Sequence, residues 1–91
     1  SNMDINHSIA VLKIAAEEVK RRKTMVIAVM QDLNLAAMFC DQLVFMKTGR
    51  VLAQGPIDET LTRDTVRAVF DVDSKVYFDT YCQSNQIVFK R

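Results

Sequence analysis

Residues 24–30 read T-M-V-I-A-V-M, and from Met25 onward no polar residue interrupts the run. A strand with one face in water alternates apolar and polar side chains. Continuous apolar character predicts a strand buried on both faces, the habit of parallel sheets flanked by helices. The expected fold class is therefore α/β. The run stops at Gln31-Asp32. In an open α/β sheet, ligands bind just past the carboxyl ends of strands, so these two residues are the best-placed polar candidates in the chain. Asp32 equally suits the N-cap of a following helix, and one carboxylate can fill both roles.

The flanks of this run predict its covering layers. From Asp4, the apolar residues Ile5, Ile9, Leu12, Ala16 and Val19 recur at steps of 4, 3, 4 and 3, which draws one stripe along a helix. Asp4 is its expected N-cap, and Lys20-Arg21-Arg22-Lys23 closes it where cations complement the helix dipole. Residues 33–40 read as a short helix of small and apolar residues. A strand over 43–46, a turn over 47–50 with Gly49 free to take positive φ, and a returning strand over 51–54 follow. After Gly55-Pro56 come two short helices, 57–61 and 63–70; Thr62 caps the second, which is expected to bury Val66, Val69 and Phe70. Residues 72–81 and 87–91 read as a terminal hairpin turning over 83–86, with Val76 and Phe78 facing Ile87 and Phe89 in a register left open. The order is α-β-α-β-β-α-α-β-β, with no repeat and no linker, so residues 1–91 are expected to form a single domain.

Several function classes are excluded by what the chain lacks. Its only glycines, Gly49 and Gly55, are six apart, so neither a G-x-x-x-x-G-K-[ST] phosphate loop nor a G-x-G-x-x-G fingerprint is present. Cys40 and Cys82 form no C-x-x-C pair and His7 is the sole histidine, so no metal site is expected; both thiols read as buried and reduced. With 12 Lys and Arg against 11 Asp and Glu, the net charge of +1 speaks against a nucleic-acid partner. Phe39, Phe45 and Phe70 fall on apolar stripes rather than on a base-stacking platform. No apolar run reaches the roughly 18 residues of a membrane span.

Three segments then carry a resemblance: D-I-N-H at Asp4 to His7, M-V-I-A-V-M-Q-D-L-N-L-A-A-M-F-C-D from Met25 to Asp41, and L-V-F-M-K-T-G-R-V-L-A-Q-G from Leu43 to Gly55. In this order they resemble the C-terminal half of an ABC transporter ATP-binding subunit of the iron-siderophore, haem and cobalamin importer subfamily. That family reads S-A-L-D-I-N-H-Q at its D-loop and V-x-H-D-L-N-x-A at its switch histidine. Its tail, P-E-E-V-L-T-P-E-L-L-R-E-V-F-G-V, is similar to I-D-E-T-L-T-R-D-T-V-R-A-V-F-D-V here. Residues 1–4 are either the D-loop itself, S-N-M-D for S-A-L-D, or an expression scar of Ser1 and Asn2 ahead of Met3.

The resemblance implies a partial P-loop-NTPase-like sheet without the Walker A and Walker B strands. Residues 4–55 would be the end of the ATPase core and 56–91 the C-terminal helices and hairpin. It places Asp4 at the D-loop and Asp32 beside the nucleotide or dimer contact. Gln31 falls at the switch-histidine position, where a neutral amide replaces an imidazole able to take up a proton. ATP and magnesium belong to the intact parent, and the chain by itself is expected to bind no cofactor and to hydrolyse no ATP. The implied partners are a second ATP-binding subunit and membrane permeases at the cytoplasmic face. A different class of reading follows from the 24–30 run: its edges need covering, so the chain is also expected to pair with itself or exchange elements between copies.

Overall fold

The computed structural model describes residues 4–91 and divides into two compact units, the first ending at Gln31 and the second running Asp32–Arg91. The expected reading of residues 1–3 as D-loop or scar lies outside the described residues.

In the first unit, helix α1 spans Ile5–Arg22. The Asp4 carboxylate accepts from the His7 amide at 2.8 Å, which satisfies one of the first-turn donors. Glu18 pairs with Arg21 at 2.7 Å and Arg22 at 2.9 Å, and Lys23 ends the helix in the left-handed region at φ 50°. Ile9, Leu12, Ala16 and Val19 are half-buried, while Ile5 at the head of the stripe is exposed.

No strand forms over 24–30, which corrects the second element of the expected order. Met25, Val26, Ile27 and Val29 are exposed, Val29 completely. The physical reason is that a strand exists only through its neighbours' hydrogen bonds, and none of the described residues forms a strand beside this one. The apolar run expresses a preference that these residues do not satisfy.

The second unit holds the core, and it is mixed α/β with two separate antiparallel hairpins. Helix α2 (Leu33–Phe39) precedes strands β1 (Gln42–Lys47) and β2 (Arg50–Pro56). Helices α3 (Ile57–Thr60) and α4 (Arg63–Phe70) follow, then strands β3 (Ser74–Asp79) and β4 (Ser84–Phe89). Thr48 and Gly49 turn the first hairpin with φ of 48° and 77°, the positive pair that a tight two-residue hairpin requires. The register shifts between Phe45 and Met46, where Leu52 of β2 is left without a partner, and Phe45 beside the shift is buried. Ala37, Phe45, Leu61, Val66, Val69 and Ile87 form one buried cluster, with Val66 fully enclosed. α2, β1, α4 and β4 each give a residue to that cluster, Leu61 joins it from the link between α3 and α4, and Ala53 of β2, Ile57 of α3 and Val76 of β3 pack against it.

Three local expectations change. Phe70 is 52% exposed rather than buried, and packs edge-to-face on Phe45 with centroids 6.2 Å apart. Cys40 and Cys82 are half-buried rather than buried. The second hairpin turns over 80–83, not 83–86: the Asp79 carboxylate accepts from the Tyr81 amide at 2.8 Å, and Gln83 supplies the positive φ. Val76 then faces Ile87, while Phe78 faces Asn85. No helix among the described residues is long and apolar enough to cross a membrane.

Candidate functional site

The sequence singles out the junction between the apolar run and α2, and the geometry there is built by Asp32. Its backbone is extended, and its carboxylate accepts from the Asn34 amide at 2.9 Å and the Leu35 amide at 3.1 Å. The Asp32 carbonyl accepts from Ala36, which starts the helical ladder. Leu35, Ala36 and Ala37 of this seven-residue helix are buried. Small residues at 36 and 37 let α2 approach the sheet closely, so the cap and the packing fix where the helix begins.

Gln31 immediately precedes this cap and is exposed, as is the Asp32 side chain. Asp4 is also exposed and serves as the cap of α1. Asp4 and Gln31 belong to the first unit and Asp32 to the second. Both aspartates therefore have a structural duty, as their sequence positions indicated.

One residue of the junction escaped the sequence reading. Asn34 was assigned only to a helix, yet its side chain reaches β4, 53 residues later: Oδ1 accepts from the Ile87 amide at 2.7 Å, and Nδ2 donates to the Ile87 carbonyl at 3.3 Å. Gln86 Nε2 donates to the Asn34 carbonyl at 3.2 Å. The only local signal was an amide side chain in the first turn of an apolar helix, where a polar group needs a partner once buried.

Whether these residues suit a nucleotide and its metal can be tested on the same atoms. A phosphate bound at a helix start needs unclaimed amides. Here the Asn34 and Leu35 amides are already taken by Asp32. No group of three His, Cys, Asp or Glu side chains among the described residues is placed to hold a metal ion. The Asn34 and Leu35 amides of α2 are therefore not open to a phosphate.

Elsewhere in the second unit an open groove of about 720 Å³ runs between the start of α4 and the β3–β4 hairpin, floored by Leu61, Val76 and Phe89. Arg63 and Asp73 form a two-pronged ion pair there, at 2.7 and 3.2 Å. The hydrogen bond from Arg63 holds the Asp73 carboxyl below the usual carboxylate range, more than burial raises it. Burial, helped by the negative charge of Asp41, pushes the Cys40 thiol up.

Sequence likeness to known proteins extends over most of the chain. No family model matches it. It is 47% identical over 70 residues to the hemin import ATP-binding protein HmuV of Rhizobium johnstonii, covering 77% of this chain and 26% of the relative. It is 40% identical over 77 residues to the protein of the same name from Bradyrhizobium diazoefficiens, covering 85% of this chain and 28% of that one. With the cobalamin import ATP-binding protein BtuD of Halobacterium salinarum it shares 39% identity over 71 residues, 78% of this chain and 18% of the relative. The chain thus spans less than a third of the length of these curated relatives.

Proposed function

Because this chain is homologous to the ATP-binding subunits of ABC importers over most of its length, we propose that it serves as the part of such a subunit that carries the switch position and the C-terminal subdomain. The observation that carries this reading is the 47% identity to a hemin import ATP-binding protein. The Asp32 cap supports it from the structural side, since it fixes the start of α2 directly after Gln31. The whole protein would bind ATP and magnesium, pair with a second ATP-binding subunit and drive permeases at the cytoplasmic face for an iron complex, haem or cobalamin.

In this reading Asp4 lies at the D-loop, Gln31 at the switch position and Asp32 beside the nucleotide. These residues position and do not hold the nucleotide: the α2 amides are occupied, and the glycine loop that cradles phosphates is not among these 91 residues. Phosphoryl transfer depends on positioning and electrostatics that such a loop and a metal site supply. The 91-residue chain alone is therefore inactive. Gln31 offers a neutral donor and takes up no proton, which makes the parent a slow ATPase.

A chimaera tests the role. The matching segment of the Rhizobium johnstonii protein is replaced by this chain, and magnesium-dependent phosphate release is measured with and without Gln31→His. A folded, slow chimaera that Gln31→His accelerates is the expected result. A folded chimaera that stays inactive with histidine would overturn the assignment of the switch position.

A second reading, a self-associating module, draws on the exposed Met25, Val26, Ile27 and Val29. Such a contiguous apolar stretch marks a contact surface. Sedimentation should then show a concentration-dependent dimer that Ile27→Asp with Val29→Asp abolishes. A clean monomer across a wide concentration range would remove this reading.

A further inference from the structure

Asn34 pairs with Ile87 as a strand residue would. Its amide oxygen accepts the Ile87 N–H and its amide nitrogen donates to the Ile87 carbonyl, so one side chain satisfies both backbone groups. Both groups of Ile87 thus point away from β3, to the far edge of β4. Val76 and Ile87 face each other at a register position that needs no ladder bond between them. A side-chain amide has taken the place of a neighbouring strand.

The same residue is held from the other side. The Asn34 backbone amide donates to the Asp32 carboxylate, and Leu35, also capped by Asp32, is buried beside it. None of the hydrogen bonds described for Asp32 goes to β4. A continuous path of short contacts nevertheless runs from the Asp32 carboxylate through Asn34 to the backbone of β4, where Ile87 is only 3% exposed.

We infer that Asn34 is a latch coupling the Asp32–α2 turn to the terminal hairpin, so that loosening either end loosens the other. The mechanism is geometric. Asn34 can hold both Ile87 groups only while the first turn of α2 sets its Cα in place, and that turn is set by the Asp32 cap. A hairpin pulled away from α2 removes three hydrogen bonds from residue 34 at once, and the cap then holds a helix end with no tertiary anchor. Its functional meaning rests on the proposed importer reading: the turn that the latch governs directly follows Gln31, so a partner gripping the hairpin would be felt at the switch position. Asn34 is thus a positioning residue, acting through Asp32 and α2.

Amide hydrogen exchange by NMR on the whole chain tests the coupling without nucleotide. Asn34→Ala is expected to speed exchange at Ile87 and also at Leu35. Asp32→Ala, which removes no described contact to β4, is expected to speed exchange at Ile87 by about fivefold or more, the lower end of ordinary site-to-site coupling. Asp32→Ser, a competent cap, restores the slow rate. The Val66 amide, bonded to the Thr62 carbonyl at 3.0 Å, reports global stability and should stay protected. If Asp32→Ala also exposes Val66, the ratio of the Ile87 rate to the Val66 rate is compared instead, and the latch requires that this ratio rise above its wild-type value. Ile87 exchange at the wild-type rate in a variant whose Asn34 and Leu35 amides accelerate would overturn the latch. Because no ATP enters these measurements, failure of the latch and failure of the importer assignment are separate results.

Discussion

Thr48 shows how a single residue can sit against its own preference. It occupies the left-handed region at φ 48° in the first hairpin turn, where β-branched side chains crowd the backbone. Gly49 beside it, at φ 77°, has no such difficulty. Asparagine tolerates this conformation, so Thr48→Asn is expected to stabilise the chain by about 1 kcal/mol. Urea denaturation checks this, and an unchanged midpoint would mean that Thr48 carries no strain. The aspartates were legible at this scale for the opposite reason. Asp4 and Asp32 each precede an apolar helix, and a carboxylate there bonds its own neighbours two or three residues on. Asn34 was illegible because its partner, Ile87, is chosen by the fold and not by neighbours in sequence.

At the scale of elements, most of the second unit follows from local chemistry. Thr62 caps α4 by accepting from the Thr65 amide at 3.1 Å, as its position before an amphipathic stretch predicted. Asp71 closes that helix in the left-handed region at φ 55°. Lys47 Nζ donates to the Ala68 carbonyl at 2.9 Å, which ties β1 to the carbonyl end of α4 where the dipole favours a cation. Arg63 and Asp73 join the start of α4 to the approach of β3. Since Asp73 titrates below an ordinary carboxylate, its pairing stabilises the fold above the unfolded-state carboxylate pKa. That contribution is lost as pH falls through the depressed folded value. Asp73→Asn is therefore expected to be less stable than wild type at neutral pH and to converge with it in acid. The pair is solvent-exposed, so the gap is modest. Parallel stability curves over the whole range would contradict the assignment. The second hairpin's turn was misplaced because Gln83-Ser84-Asn85-Gln86 looks turn-like by composition, whereas the Asp79 carboxylate decides where the chain reverses.

For the whole molecule the division at Gln31/Asp32 matters most. Exposed lysine and arginine residues end α1, and the stretch after them carries neither helix nor strand. Trypsin is expected to cut first after Arg21, Arg22 or Lys23, leaving a product that contains Asp32–Arg91. Mass spectrometry of a short digest identifies it, and early cuts after Arg63 or Arg67 would show that the core of the second unit is not the stable part. The buried cluster around Val66 supports that order of cleavage, since opening it exposes the apolar contacts of four elements.

Neighbours in the chain settle the helix caps, the stripe of α1 and the Thr48-Gly49 turn, and the order of motifs shared with importer ATP-binding proteins is likewise written along the chain. The tertiary structure decided the rest. A strand needs a second backbone to bond, so the apolar run 24–30 announced burial without securing it. The docking of α2 on β4 needed Asn34 and Ile87 to meet across 53 residues. Packing alone brings such residues together, because their partnership depends on distance in space and leaves no period or spacing in the chain.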